Sequence, residues 1–194
     1  MIILSIALAT LGLLIDNIPV IIGAMLVAPI LSPVLCIGMG VVIMDHKLIR
    51  FSLFAVLKAI ILSIIVAVLI TLIVGARGSE TSLIYQMEPN YTFIFIALVS
   101  GLAAAFTWGR PELGEALPGV AISVALIPPI AAVGIGAVLL DWQIIQHSAQ
   151  LFIINLICII LISIFVFHLM GFYKERKSAK KAVEKEEKIL KEEI

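Results

Sequence analysis

Charge is scarce in this sequence, and most of what is missing excludes a class of function. Only 13% of the residues are Asp, Glu, Lys or Arg, roughly half the share of about 25% in an ordinary soluble domain. Two cysteines in 194 residues, Cys36 and Cys158, cannot build the framework of a disulfide-stapled secreted domain. The three histidines, His46, His147 and His168, lack the spacing and acidic company of a metal centre. There is no His-Glu-x-x-His helix, no Gly-x-Ser-x-Gly elbow and no phosphate loop. The expectation is therefore a chain that is not an enzyme, with no cofactor and no metal, and any active pumping would need another subunit. A formal net charge of zero gives nucleic acid no electrostatic hold. What the chain does have is apolar residues, 62% of the total, with a mean hydropathy of +1.23. That excludes disorder and matches the roughly 120 apolar residues that six spans of about 20 would use. The lipid bilayer is the expected partner.

Six apolar runs predict six spans, at 1–15, 18–44, 51–75, 91–107, 117–140 and 148–172. Pro29 and Pro33 interrupt the second, and Pro128 with Pro129 interrupts the fifth. The first begins at Met1 without the basic flank of a signal peptide, so it reads as a span. An even number of spans puts both termini on one side. Lys47, Arg50, Arg110 and eight Lys and Arg between 174 and 191 fall on that side, while Arg77 alone sits opposite with Asp16, Glu80, Glu88 and Asp141. The positive-inside bias makes the basic side cytoplasmic, giving a multi-pass cell-membrane protein with both termini inside.

Laying the chain on itself with an ungapped shift of 96 residues reveals a repeat. Gly23 meets Gly119, Pro33 meets Pro129, Gly38 meets Gly134 and Gly40 meets Gly136; further along, Asp45 meets Asp141, Ser52 meets Ser148 and Gly75 meets Gly171. Coincidences among Gly, Pro and Asp do not arise from apolar bias. Three spans per unit is an odd number, so the second unit enters the membrane from the opposite face. The expected fold is an all-α integral membrane protein of six transmembrane helices in two inverted-topology three-helix repeats. The second helix of each is broken at Gly and Pro. The first repeat is 1–76, the extracytoplasmic loop and start of the fourth span 77–96, the second repeat 97–172, and the charged cytoplasmic helical tail 173–194.

Each unit centres on a Gly- and Pro-containing segment, 22–33 and 118–129. Proline lacks an N–H and clashes with the carbonyl four residues back, and the residue before it is pushed out of the α region. Ile127 and Pro128 are thus expected to be non-helical or sharply kinked. One reading is two discontinuous helices presenting carbonyls and helix ends to a solute; the other is simple kinks with close small-residue packing. The segment Ile22-Gly23-Ala24-Met25-Leu26-Val27-Ala28-Pro29, with Pro118 through Pro129 followed by Gly134 and Gly136, resembles the signatures of the uncharacterised prokaryotic membrane family called domain of unknown function 389. The resemblance covers roughly residues 1–172 and implies the membrane fold, with no assigned substrate or reaction. Many members carry a cytosolic domain before the first span.

These residues lead to an expected secondary transporter or channel-like permeation protein for an ion or small polar solute, its site between the two breaks. The substrate-binding candidates are Gly23, Pro29, Ser32, Pro33, Gly119, Ser123, Pro128 and Pro129. Carbonyls freed by Pro33 and Pro129 favour a cation; half-helix amino ends at the gap would favour the reverse. The pathway candidates are Asp16, Asn17, Lys58, Arg110, Glu112 and Asn155, since polar and charged groups at membrane depth are costly unless used. Each has a plainer reading: snorkelling for Lys58, interhelical packing for Asn155, and an interfacial loop anchored by Trp108 for Arg110 and Glu112. Asp45 and Asp141 read as turn or cap residues. The alternative function is a non-conducting scaffold or sensor module acting through its cytoplasmic tail. Gly38, Gly40 and Val42, with Gly134, Gly136 and Val138, form small-residue faces from which a homo-oligomer, a dimer or trimer, is expected.

Overall fold

The computed structural model describes residues 1–27, 30–75, 82–85, 87, 89–110 and 126–172. Every regular element among them is helical: α1 (Ile2–Leu14), α2 (Ile18–Val27), α3 (Leu31–Val42), α4 (His46–Val74), α5 (Ser82–Tyr85), α6 (Tyr91–Trp108), α7 (Ile127–Leu139) and α8 (Trp142–Leu169). Helix is the economical answer for such apolar runs, because it satisfies its backbone polar groups internally where lipid offers none. By length and composition α4, α6 and α8 can each cross a membrane. The 29 residues of α4 extend about 43 Å, more than the roughly 30 Å hydrocarbon core. Helices α2 and α3 are two arms whose axes diverge by 50°.

Three helix-to-helix turns are built alike. At the end of α3, Met44 takes a left-handed φ of 53°, and the Asp45 N–H donates to the Gly40 carbonyl at 2.8 Å. Asp45 then caps α4, its carboxylate accepting from the Lys47 and Leu48 N–H groups at 2.9 and 3.1 Å. At the end of α7, Leu140 has φ 55°, the Asp141 N–H donates to the Gly136 carbonyl at 3.1 Å, and the Asp141 carboxylate accepts from Gln143 and Ile144. Between α1 and α2 the same roles fall to Gly12, Asp16 and Asn17: Asp16 has φ 49°, and the Asn17 N–H reaches the Gly12 carbonyl at 2.8 Å. These are Schellman-type stops with a non-glycine residue in the left-handed position. Glycine is required one turn earlier instead, since a Cβ on Gly40 would lie 2.8 Å from Ile49 Cγ1 and one on Gly136 would lie 2.9 Å from Ile144 Cγ2. The cap roles expected for Asp45 and Asp141 are present in the structure.

The two halves interlock. Helix α3 packs on α4 and on α8, and α7 packs on α8 and on α4. Gly38 on α3 touches Ser163 and Ile164 of α8, and Gly134 on α7 touches Ala67 and Val68 of α4. Each member of one pair stands 96 residues from its counterpart in the other. No side chain can be added at either crossing without displacing the neighbour. These glycines were expected to serve contacts between subunits; they are consumed inside the chain, because the tightest approaches are those that close the fold. Between α3 and α8 the groove lined by Val41, Met44, Ile164, Phe165 and His168 shows that the two run parallel. The Asp45 turn therefore lies beside His168, at the far end of α8 from its Asp141 cap.

Candidate functional site

The expectation for the prolines needs correction. Helix α7 starts at Ile127, with Pro128 and Pro129 in its first turn, so Ile127 and Pro128 are helical and not a kink. Helix α3 starts at Leu31, with Pro33 third in line. A first-turn N–H has no helical partner to lose, so proline is accepted there and its fixed φ suits the start. The prolines thus stand in the first turns of α3 and α7. Both start 96 residues apart, and what α3 and α7 direct away from their own hydrogen-bonded turns is an amino end, with its partial positive charge. The carbonyls expected from Pro33 and Pro129 belong to positions before these helices.

Around these starts the candidates separate. Ser32 is exposed and Pro33 half-buried, whereas Pro128 and Pro129 are buried. Gly23 is half-buried on α2, with open space where a Cβ would sit. Asn155 is buried on α8. It lies on α8 eight residues before the Gly38–Ser163 crossing. Pro29, Glu112, Gly119 and Ser123 lie outside the described residues.

The remaining pathway candidates occupy the ends or the outside. Asp16 accepts the Leu83 N–H at 3.2 Å, and Tyr85 donates its hydroxyl to Asp141 at 3.4 Å, so α5 ties the α1–α2 and α7–α8 turns together at one end. Asn17 caps α2 through Val20 at 3.2 Å. Arg110 lies at the other end, its guanidinium 5.0 Å from the centre of the Phe106 ring. Beside it Trp108 meets Phe167 of α8 with ring centroids 5.7 Å apart. Lys58 is exposed, on the face of α4 opposite the buried stripe of Ser52, Val56, Ala59 and Ser63. Twelve residues into α4 it is about 18 Å from the helix start, with a side chain directed back toward that end.

Buried hydroxyls escaped the sequence reading. Ser5 donates to the Ala24 carbonyl at 2.6 Å, tying α1 to α2. The hydroxyls of Ser63 and Ser148 are buried with no hydrogen-bond partner among the described residues. Their one signal was helical spacing: Ser52, Val56, Ala59 and Ser63 mark one stripe, but in a run apolar on every side a lone serine gives no face. Cys36 and Cys158 are half-buried. Among the described residues no group of His, Cys, Asp and Glu is placed to hold a metal.

The chain is 28% identical over 178 residues to the uncharacterised protein MJ0678 of Methanocaldococcus jannaschii, an alignment covering 88% of this chain and 53% of that one. It therefore spans about half the length of the curated relative it matches. No solved structure matches it. The family model described as Domain of unknown function (DUF389) matches residues 25–161, a stretch that takes in the starts of α3 and α7, the crossing glycines Gly38 and Gly134, and both aspartate caps. The chain belongs to that family.

Proposed function

We propose that the chain is a six-span membrane protein of two inverted-topology repeats that moves a small ion or polar solute between its two broken helices. The observation that carries this reading is the reciprocal crossing of the halves, Gly38 on Ser163 and Gly134 on Ala67, flanking half-helices that begin at equivalent positions. Duplicated, discontinuous helices of this kind occur in transporters, where they enclose a site near the bilayer midplane. Asn155, Ser32 and the amino ends of α3 and α7 would contact the solute. Those amino ends favour an anion or a hydrogen-bond acceptor, so the cation preference argued from free carbonyls is not carried forward.

The orientation follows the Lys and Arg bias, with the Asp45 turn cytoplasmic and the Asp141 turn outside. Single cysteines at the exposed positions His46 and Gln143, with Cys36 and Cys158 replaced by Ser, should label from opposite sides of sealed vesicles. Labelling of both from one side would refute the inverted topology. A homo-oligomer is proposed as well, on faces other than the buried glycines, and its mass in nanodiscs checks it. Function is tested with purified protein in liposomes, screening anion and neutral-solute flux. Wild-type flux should fall about tenfold or more on Asn155→Ala, the loss of roughly one charge-assisted hydrogen bond. Absence of flux for every solute would leave a non-conducting scaffold or sensor as the better reading.

A further inference from the structure

Lys58 is the one Asp, Glu, Lys or Arg in any of the six apolar runs. It is exposed on α4, and so are Lys47, Phe51 and Phe54. Lys47 and Lys58 stand 11 residues apart, about three helical turns, so they share one face of the helix with the two phenylalanines between them. Arg50, also exposed, lies at the margin of that face. Depth decides what the Lys58 ammonium meets. Centring the roughly 43 Å of α4 on a hydrocarbon core of about 30 Å leaves about 6 Å beyond each edge. Arg50, four residues in, then stands at the edge, and Lys58, twelve residues in, lies about 12 Å below it. The five bonds from Cα to Nζ reach about 6 Å. Snorkelling alone therefore leaves the charge inside the hydrocarbon.

A second copy of the chain cannot neutralise it there, because the six runs hold no Asp or Glu. A two-fold dimer packed through this face would set Lys58 against Lys58, and the like charges would repel. We propose that this face of α4 binds the headgroup of an anionic phospholipid in the leaflet at the Asp45 end. Its phosphate is drawn down onto the Lys58 ammonium, with Lys47 and Arg50 around the rest of the headgroup. Phe51 and Phe54 lie against the glycerol and the upper acyl chains. Three cations, with no carboxylate anywhere between Lys47 and Lys58, select an anionic headgroup over a zwitterionic one, whose own ammonium they repel. The proposal rests on α4 crossing the bilayer and not on any solute being moved.

Bromine quenching of a reporter tryptophan tests it on the full chain in liposomes, with Trp108 and Trp142 replaced by Phe. Phe54→Trp puts the reporter beside the cations. Ile65→Trp puts a reference on the same exposed face of α4, in the other leaflet. The host lipid is phosphatidylcholine, doped with brominated phosphatidylglycerol or with brominated phosphatidylcholine. The Ile65→Trp reporter should be quenched equally by both, which establishes that α4 lies in lipid. The Phe54→Trp reporter should show about a tenfold preference for phosphatidylglycerol, the worth of roughly one charge-assisted hydrogen bond. Lys58→Leu should abolish that preference and Lys58→Arg should keep it. No preference with Lys58 present, or one that survives Lys58→Leu, would overturn the proposal. So would relief of quenching by inorganic phosphate, which would assign a free anion. A Phe54→Trp reporter quenched by neither lipid would also overturn it, by putting a second copy on the face. An Ile65→Trp reporter untouched by both lipids would instead remove the membrane placement of α4 on which the proposal rests.

Discussion

In the first half of the molecule α1 lies across α2, α4 and α7, with Ile6 and Thr10 buried; in the second half α6 rests along α8, with Leu102 and Phe106 at 48% and 41% exposure. Elsewhere the halves agree to the level of single hydrogen bonds. Gly40, Met44 and Asp45 repeat the geometry of Gly136, Leu140 and Asp141, and Gly75 and Gly171 share a φ of 78°. The agreement sits where backbone meets backbone, at turns, caps and glycine crossings. The difference sits where side chains alone decide which neighbour a helix leans on. The two halves thus keep their turns and glycine crossings alike and let the packing of α1 and α6 differ.

The strongest way to break the likeness is to fill its crossings. A Cβ at Gly134 would meet the Ala67 methyl, with the Ile64 carbonyl and Val68 N–H behind it at 3.2 Å, none of which can rotate away. At Gly38 the first obstacle is the Ser163 hydroxyl, which can turn aside at the cost of its bond to the Ile160 carbonyl. Gly134→Ala should therefore destabilise by about 3 kcal/mol and Gly38→Ala by about 1–2 kcal/mol, read from thermal or denaturant unfolding in one detergent. Equal losses would show that the crossings are as alike in energy as in position.

The caps give a smaller and more even effect. Asp45→Ala and Asp141→Ala each strip two N–H groups of their acceptor and should each cost about 1 kcal/mol. The additional Tyr85 hydroxyl on Asp141 is exposed and long at 3.4 Å, so the two losses should agree within about 0.5 kcal/mol. Tyr85→Phe should then change stability by less than either.

The smallest effect, and of opposite sign, belongs to the left-handed turn residues. For Met44 and Leu140 the left-handed backbone costs about 1–2 kcal/mol, and glycine returns this less its own chain entropy of about 0.5–1 kcal/mol. Met44→Gly and Leu140→Gly should each stabilise by about 0.5 kcal/mol in the same unfolding measurement. Asp16→Gly should not, because it also removes the acceptor of the Leu83 N–H. A gain at one of the first two positions and a loss at the other would break the local likeness of the turns.

Hydropathy, proline and the repeat register were enough to place the helices: the expected interruptions at Pro33 and Pro129 coincide with helix starts, and the runs at 91–107 and 1–15 with α6 and α1. Helices α4 and α8 begin earlier than the apolar runs suggested, at His46 and Trp142, because their aspartate caps draw polar residues into the first turn. The proline pair at 128–129 was misread as a kink because the same residue type breaks a helix interior and opens a helix start, and local sequence does not say which. Asn155, one isolated amide in an apolar run, could be assigned to the buried side of α8 only by the packing of that helix.

The division between the two kinds of information has one physical cause. The sequence alone determined that the chain is apolar enough for membrane helices, that proline interrupts two of its apolar runs, and which positions match at a shift of 96 residues. These depend on backbone chemistry, namely the missing N–H of proline, the missing Cβ of glycine and the carboxylate that caps a helix, and each is written in one residue. Tertiary structure alone decided that α3 crosses α8 while α7 crosses α4, that the glycines close the fold rather than join subunits, and that α1 rests on α2, α4 and α7. When every face of a helix is Leu, Ile, Val or Ala, the periodicity that would name its buried side vanishes, and only packing of shape against shape selects the neighbour.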